Sequence, residues 1–318
     1  EDGEVRSACA ILPRELIFPD GVGKARQLSV GLIGSVSTAE ASRGQGLASS
    51  VLQLAERELQ AEGCLISMLW ADDPDFYLGR GYRPIGMEID CILEMPLCRD
   101  LPSTARVRSA LPGDYERLHQ LYITQDRRMA RSAAESSALF ATPGMRVFVQ
   151  DAGQGPTAYA CLGRGHDLDG VIHEWAGATD SVLACVRAHM ESNPAQEESS
   201  PLFLMASASA GGVSERLQSL GAPSALGVLG LGKILDVEAA AAVLADNCSA
   251  PLSFKQTSHG HTEVRHGSKT ANITAHHWLE LFMPAKGECE RLERLERALN
   301  IRFDGLPWAP FLWGLDSI

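Results

Sequence analysis

The chain has 318 residues, of which 45% are hydrophobic and 21% charged, an ordinary globular composition with room for two or three domains. Its net charge is −12, and no basic run carries interleaved aromatic residues, so nucleic acid is not an expected partner. No run of about 18 apolar residues occurs, which argues against a membrane span and a membrane partner.

Cysteine usage and the N-terminal residues bear on the cellular compartment. The eight cysteines are scattered without a C-x-x-C pair, and the acidic start lacks the basic-then-apolar form of a secretory signal. These features predict a reducing, cytoplasmic location. The excess of negative charge mainly favours solubility and suits a cationic substrate only weakly.

Apolar periodicity predicts alternating strands and helices over the first 95 residues. The predicted elements are two short strands or one kinked strand over 4–18, a turn at 20–23, a strand over 28–38, a helix over 47–62, a strand over 64–71, a short helix capped by Asp72 or Asp73, and a strand over 84–95. Gly63 follows the first helix in the position that helices often use to stop.

The rest of the chain divides at changes in composition and pattern. Residues 96–104 are predicted to be a linker, and 105–235 repeat a similar strand and helix order, which indicates an internal duplication. Predicted helices lie after 113–114 and over 180–191 and 213–220, and predicted strands over 105–110, 146–150, 157–162, 171–175, 202–206 and near 227–235. Residues 236–318 have a predicted helix over 237–246, three strands at 252–256, 262–266 and 272–276, a charged helix over 288–299, and an apolar tail that is expected to be docked.

The stretch from Val36 to Ala48, VSTAEASRGQGLA, joins a predicted strand to a predicted helix. A helix N-terminus exposes unpaired N–H groups and the positive end of the helix dipole, and it therefore favours phosphate. Gly44 and Gly46 would let the backbone approach an anion without an intervening Cβ, and Arg43 would add a charged contact. Ala48 would keep the first turn narrow. The pattern predicts a pyrophosphate cradle, and the alternative is a glycine-containing turn that binds nothing.

A second motif, FYLGRGY, follows the next predicted strand. Taken alone, its tyrosines Tyr77 and Tyr82 are more typical of core or interface aromatics than of catalysts.

The two motifs together resemble the GNAT superfamily, the GCN5-related N-acetyltransferases. The acyl-CoA loop of that family, R/Q-x-x-G-x-G/A, is matched by Arg43, Gly46 and Ala48. Its later FYxxxGF/Y motif is matched by Phe76, Tyr77, Gly81 and Tyr82. The first loop is also similar to that of tandem-GNAT bacterial proteins, with Glu40 and Ser42 in place of a proline and an aromatic residue, and neither change removes a backbone donor.

The resemblance implies an α/β (α+β) fold, in which a mixed central sheet is flanked by helices. It implies a catalytic acyl-CoA-binding domain over 1–98, a degenerate GNAT-like domain over 104–235, and a small α/β domain over 236–318 that is similar to a sterol carrier. Residues 176–182, which correspond to the acyl-CoA loop in the second domain, lack the arginine and the glycine pattern. The arrangement resembles aminoglycoside acetyltransferases of the enhanced-intracellular-survival type. Those proteins carry a strand and helices ahead of the position of residue 4, so either an N-terminal part of the domain is missing here or the fold is reduced.

The resemblance also implies a site, with acetyl-CoA as co-substrate and no metal. The implied acyl-CoA-binding residues are Val36, Ser37, Thr38, Arg43, Gly44, Gln45, Gly46, Leu47, Ala48 and Ser49. In GNAT enzymes an amine attacks the thioester directly, a backbone N–H such as that of Ser37 or Thr38 stabilises the oxyanion, and Tyr77 donates a proton to the thiolate. The carboxylate of the C-terminal Ile318 is the implied general base.

Several alternatives stay open at this point. Glu40, Glu88, Asp90 or a water relay could act as the base instead of Ile318. The acceptor could be a small amine or a peptide amine, the donor could be a longer acyl-CoA, and the protein could form a homo-oligomer. The rival function is a non-catalytic acyl-CoA-binding or interaction protein built on the same scaffold.

Two further patterns are expected to carry no chemistry. Residues 227–234 nearly spell a P-loop, but Ile234 stands where a hydroxyl must meet Mg²⁺, and no helix is predicted to open at Lys233. The histidines of the last 60 residues have no cysteine or carboxylate at a zinc-like spacing and are read as exposed strand or turn residues. They are His259, His261, His266, His276 and His277.

Overall fold

The computed structural model describes residues 3–165, 167–192, 201–209, 211–257, 260–285 and 289–317. These residues pack into two units. The first takes in the described residues of Glu1–Gly86, Val228–Pro310 and Ser317–Ile318. The second takes in those of Met87–Gly227 and Phe311–Asp316. Each unit mixes helices and strands, as the predicted fold class requires.

The elements follow one another in a largely alternating order. The N-terminal part forms β1 Ser7–Pro19, β2 Ala25–Thr38, α1 Leu47–Ala61, β3 Ile66–Leu69, α2 Asp75–Leu78 and β4 Arg83–Ile85. The central part forms β5 Glu88–Leu93, β6 Val107–Ser109, α3 Tyr115–Tyr122, β7 Arg128–Met129, α4 Ala133–Phe140, β8 Arg146–Asp151, β9 Pro156–Arg164, β10 Asp167–Gly177, α5 Thr179–Glu191, β11 Leu202–Ser207, α6 Val213–Ser219 and β12 Ser224–Gly227. The last part forms β13 Gly230–Ile234, α7 Val237–Asp246, β14 Ser253–Gln256, β15 His261–His266, β16 Lys269–Thr274, α8 His277–Phe282 and α9 Glu290–Leu299.

The main sheet of the first unit has the strand order β4-β13-β3-β2-β1. β1 and β2 form a long antiparallel hairpin, whereas β2 and β3 run parallel and are joined through α1. α1 packs closely on the sheet, because a Cβ at Gly31 would come within 2.5 Å of the Leu59 side chain. The buried core beneath α1 is formed by Ile33, Leu52, Ala55, Leu59, Cys64, Leu69, Tyr82 and Leu231.

The remaining part of the first unit is a three-stranded antiparallel sheet, β14-β15-β16, with α8 and α9. The aromatic rings of Trp278, Phe282 and Trp308 stack in sequence, and Phe18 packs against Trp308 at 5.3 Å. Trp308 is 5% exposed, so this portion of the tail is docked, as its apolar character predicts.

The sheet of the second unit has the order β12-β5-β11-β10-β9-β8-β6. It repeats the central arrangement of the first unit, since the β9–β10 hairpin is followed by α5 and by β11, which runs parallel to β10. In each unit the strand after the first crossover helix pairs with a strand from the other half of the sequence, β13 with β3 and β5 with β11. This shared topology supports the predicted duplication.

The packing units follow different limits from the predicted domains. The predicted strand over 84–95 is broken at Gly86, whose φ of +60° ends β4, and β5 then belongs to the sheet of the second unit. The predicted strand pair near 227–235 is divided in the same way between β12 and β13. A sequence pattern shows where a strand lies but not which sheet it joins, and the division at 98, 104 and 235 therefore stays a prediction.

Several individual elements differ from their predictions. Of the two alternatives for residues 4–18, the structure has the single strand, β1, with a register shift between Ala8 and Ala10 and with Pro13 paired opposite Gly31. The N-cap residue of α2 is Pro74 rather than Asp72 or Asp73, although Asp73 Oδ1 does accept a hydrogen bond from Asp75 N at 3.2 Å. The predicted linker contains a 3-10 helix over Met95–Asp100, and α4, α8 and the two-residue β7 were not predicted.

The core of the second unit contains a buried ion cluster. Arg131 bonds Glu174 Oε2 through Nη2 at 2.6 Å and Asp316 Oδ1 through Nε at 2.6 Å. These three side chains are at most 2% exposed. Tyr159 donates to Glu174 at 2.9 Å, and Tyr122 lies within 2.9 Å of Asp316 with its ring under the guanidinium. The cluster fixes the segment Phe311–Asp316 within this unit.

Two buried histidines of the second unit predict acid sensitivity. Burial lowers the pKa of His189 to about 3 and that of His173 to about 4. Each uses Nε2 to bond a backbone carbonyl, and each has a buried Nδ1 without a partner among the described residues. Since an unfolded histidine titrates near 6.5, the unfolded state binds the proton first, and stability is lost as the pH falls below that value.

We expect His189→Gln to flatten this loss. At pH 5, still above the folded pKa, the wild-type histidine should lower the free energy of unfolding by about 2 kcal/mol relative to pH 7, and the glutamine cannot titrate. Denaturant unfolding between pH 5 and 8 measures the difference. The two curves should run parallel above pH 7, and equal slopes below 6.5 would show that His189 is charged in the folded protein.

Candidate functional site

A cleft opens in the first unit where two neighbouring parallel strands separate. β2 and β3 pair only over Val30–Leu32 and Ile66–Met68. Beyond this point lies a cleft of about 510 Å³, lined by Ile33, Gly34, Ser35, Val36, Ala48, Trp70, Ala71, Asp72, Asp73, Phe76 and Tyr77. Separated parallel strands leave backbone N–H and C=O groups without sheet partners, and these groups can bond an extended ligand.

A β-bulge shapes the β2 wall of this cleft. The pairing of β1 with β2 steps from Ala10↔Gly34 to Ala8↔Ser37, so Ser35 and Val36 together face one residue of β1. Ser35 has a φ of +52°, which is uncommon for a residue with a side chain. Such a bulge turns backbone groups out of the ladder and is often found beside functional sites.

The predicted phosphate loop lies at the start of α1. Gly46 is the N-cap residue of this 15-residue helix with a φ of +78°, and Gly44 has a φ of +76°. A Cβ at either position would meet nothing within 4 Å. Both glycines supply a left-handed backbone that side-chain-bearing residues rarely adopt, and the space beside them is free of other protein atoms. The loop is exposed, and Ala48 of the first turn lines the cleft.

Tyr77 brings its phenol to the same cleft. It lies in α2, and its ring contacts Phe76 edge-on at 4.9 Å and Tyr82 at 5.8 Å. Burial raises the pKa of Tyr77, the nearby Cys9 raises it further, and the Arg80 guanidinium opposes this shift. The phenol is thus neutral at physiological pH and able to donate a proton.

The comparisons with known proteins agree with this geometry. The family model described as "Acetyltransferase (GNAT) domain" matches residues 1–85, which hold the cleft, the loop and Tyr77. The chain contains a GNAT acetyltransferase domain. The match concerns these residues alone, and a search of curated proteins gives no match.

Solved structures with the same fold extend over nearly the whole chain. A GCN5-related N-acetyltransferase from Kribbella flavida is 15% identical with a TM-score of 0.60, and the match covers 100% of this chain and 87% of that one. One from Anabaena variabilis is 15% identical with a TM-score of 0.62 and coverages of 98% and 86%. Eis1 from Mycobacterium abscessus is 13% identical with a TM-score of 0.54 and coverages of 98% and 88%. At these identities the likeness shows the fold.

The predicted acyl-CoA residues of the GNAT domain surround the loop and the cleft. Val36 lines the cleft, and Ser37 and Thr38 end β2 beside Ser7, which donates to the Ser37 carbonyl at 2.9 Å. Gln45 is exposed, and Leu47 and Ser49 are half-buried in the first turn of α1. Arg43 is exposed, at the start of the loop.

Several residues that line the cleft or contact its walls were not among the residues predicted from the sequence. Trp70 and the adjacent Asp72 and Asp73 line the cleft at the end of β3, and Trp70 is fixed by donating Nε1–H to Leu229 O at 2.6 Å. The bulge at Ser35 cannot be predicted from the sequence, because a bulge has no residue pattern of its own. Arg80 lay within the FYLGRGY motif, at one of the positions that the family pattern leaves unspecified.

The candidate bases are differently placed. Ile318 lies outside the described residues. Glu40 is exposed in a 3-10 turn of the first unit. Glu88 and Asp90 lie on β5 in the second unit, where burial and the neighbouring Asp90 raise the pKa of Glu88 to about 8, and burial raises that of Asp90.

The P-loop-like stretch over 227–234 and the histidines of the last 60 residues were expected to carry no chemistry. Lys233 lies in β13 rather than at a helix start, and its Nζ bonds Glu56 at 2.7 Å. His261 and His266 lie on β15, and His259 lies outside the described residues. Among the residues with described positions, no group of three or more His, Cys, Asp or Glu could hold a metal ion. None of the helices described has the length and apolar character needed to cross a bilayer.

Proposed function

We propose that this protein is an N-acetyltransferase that moves the acetyl group of acetyl-CoA to the primary amine of a small molecule or peptide. The observation that carries the proposal is the meeting of three features in one unit. They are the left-handed glycine loop at the start of α1, the cleft between β2 and β3, and Tyr77 in the wall of that cleft. This arrangement matches the needs of an extended phosphate-bearing thioester.

Each part of the cofactor has a complementary surface. The N–H groups of the first turn of α1 and the Arg43 guanidinium would hold the pyrophosphate. The pantetheine arm would lie in the cleft and bond the free edge of β2 over Val36–Thr38. Ser37 and Thr38 were the predicted oxyanion donors, and the bulge at Ser35 and Val36 adds two neighbouring N–H groups as candidates.

The chemistry would be a direct acyl transfer. The neutral amine attacks the thioester carbonyl, the backbone N–H groups stabilise the oxyanion, and collapse breaks the C–S bond. Tyr77 donates its proton to the departing thiolate, and a base removes the proton from the nitrogen. The terminal carboxylate of Ile318 is our first candidate for the base, with Glu40, Glu88, Asp90 or a water relay as alternatives.

We also propose three domains. They are a catalytic domain over 1–98, a second GNAT-like domain over 104–235 that does not bind CoA, and a sterol-carrier-like domain over 236–318. In the second unit β10 passes into α5 through Ala178 alone, so the glycine loop has no counterpart there, which supports the second of these. A cytoplasmic location and a homo-oligomeric state are proposed as well.

Gly46→Trp should abolish this function at the binding step. The new side chain would fill the anion loop, and an L residue at a φ of +78° is strained by about 1–2 kcal/mol. We expect calorimetry to show micromolar acetyl-CoA binding by the wild type and a loss of about 100-fold or more in the variant, equivalent to about 2.7 kcal/mol.

Gly23→Trp is the matched control. Gly23 has a φ of +81° and equally open surroundings, but it lies in the β1–β2 turn, so the variant carries the same backbone strain away from the loop. It should bind acetyl-CoA like the wild type. A folded wild type that does not bind acetyl-CoA would refute the proposal. Binding without release of CoA in the presence of any amine would favour the non-catalytic alternative.

A further inference from the structure

Arg80 joins the helix that carries Tyr77 to the helix that carries the phosphate loop. Its Nε and Nη2 donate to Ser49 Oγ, in the first turn of α1, at 3.0 and 2.5 Å. Its Nη1 donates to the Phe76 carbonyl of α2 at 2.5 Å, and the guanidinium carbon lies 3.6 Å from the centroid of the Phe76 ring. The Arg80 side chain therefore contacts both the backbone and the ring of Phe76, the residue before Tyr77.

α2 needs such an external contact. It has only four residues, Asp75–Leu78, and no side-chain cap at its N-terminus. Helices of this length are not stable in isolation, because the few hydrogen bonds formed do not offset the ordering of the backbone. The position of Tyr77 in the cleft therefore depends on what holds the turn in place. The planar guanidinium, with its fixed fork of donors, is well suited to hold two groups at once.

We propose that Arg80 is a positioning residue for the reaction. Arg80 bonds both Phe76 and Ser49. It thereby holds the Tyr77 hydroxyl at the place where the thiolate of CoA departs. This inference rests on the proposed function, since it assigns Arg80 its role through Tyr77. The Arg80 backbone N–H donates to the Tyr77 carbonyl at 2.9 Å, but the side-chain bonds of Arg80 go to Ser49 and Phe76, so the effect of the guanidinium is transmitted through Phe76, whose ring lies against Tyr77.

The proposal predicts a loss of turnover without a comparable loss of binding. In Arg80→Ala, α2 should lose its anchor, and kcat for CoA-thiol release from acetyl-CoA should fall about 10-fold or more. The affinity for acetyl-CoA by calorimetry should change less than about threefold, because the loop backbone is untouched. Acceptors would be drawn from a panel of primary amines, and hydrolysis of acetyl-CoA by water serves where no amine reacts faster.

Two measurements distinguish positioning from a merely structural role. In a Tyr77→Phe background, Arg80→Ala should have little further effect on kcat, since the group that it positions is absent. The Arg80 charge also favours the phenolate of Tyr77, so its removal should move the alkaline limb of the kcat profile to higher pH, while Arg80→Lys should retain the limb and recover part of the rate. Arg57→Ala, an exposed position on α1, is the control and should resemble the wild type.

Failure of the inference and failure of the proposed function look different. Additive effects of Arg80→Ala and Tyr77→Phe, or an equal loss of acetyl-CoA affinity and kcat, would overturn the positioning role alone. A wild-type rate that Tyr77→Phe leaves unchanged would overturn the acid role of Tyr77 as well. If Arg80→Ala does not fold, the Arg80→Lys variant in both backgrounds gives the same test.

Discussion

Arg131→Met should destabilise the second unit by about 3–5 kcal/mol, the largest effect on stability that we expect from a single change. The substitution leaves the buried Glu174 and Asp316 carboxylates without their shared cation. Hydrogen exchange followed by mass spectrometry would localise the loss, and we expect it in β10 and in the segment Phe311–Asp316. These two segments carry the partners of Arg131.

The controls separate charge from packing. Asp316→Asn leaves Arg131 with Glu174 as a one-to-one pair and should cost less than Arg131→Met. Arg187→Met removes a partly exposed pair with Glu191, and such pairs contribute at most about 1 kcal/mol. The Arg131→Met penalty should shrink as the pH falls, because protonation of Glu174 removes one of the unpaired charges. A penalty that does not depend on pH would mean that the lost packing, not the lost charge, is responsible.

The sequence predicts the local elements of the first unit better than its sheet topology. The strand, loop and helix around Arg43 and the FYLGRGY motif are local patterns, and their positions can be derived from periodicity and glycine placement. The structure places α1 at Leu47–Ala61 and Tyr77 in the cleft, close to what those patterns predict. Local signals succeed here because the loop before α1 and the turn that carries Tyr77 are each formed by consecutive residues.

The features that sequence reasoning missed depend on contacts between distant residues. The exchange of β5 and β13 between sheets is decided by pairing over more than 100 residues, which no local pattern encodes. The bulge at Ser35 arises from the register of β1 against β2, and the bonds from Arg80 to Ser49 arise from the approach of α2 to α1. Tertiary packing decides each of these features.

Tyr77→Phe should lower kcat by about 10²–10⁴-fold, the effect expected when a positioned general acid is removed. The ring contacts with Phe76 and Tyr82 do not involve the hydroxyl, so the variant should fold and bind acetyl-CoA as the wild type does. Release of CoA thiol under saturating acetyl-CoA measures the change. Because burial raises the pKa of Tyr77, the acid form persists beyond the usual titration range of tyrosine, and wild-type kcat should decline only at a pH above that range.

Tyr82→Phe provides the matched control for the loss of a tyrosine hydroxyl in the same motif. The Tyr82 ring is fully buried in the core under α1, and its hydroxyl bonds Ser67 Oγ at 3.0 Å rather than facing the cleft. Its removal should lower stability by about 1 kcal/mol, the usual value of such a hydrogen bond, and leave kcat within about threefold. If both variants lose kcat equally, the motif supports the fold of the site and Tyr77 is not the acid. If neither does, the thiolate departs without protonation by either tyrosine, and the acid must be sought among the other residues of the cleft.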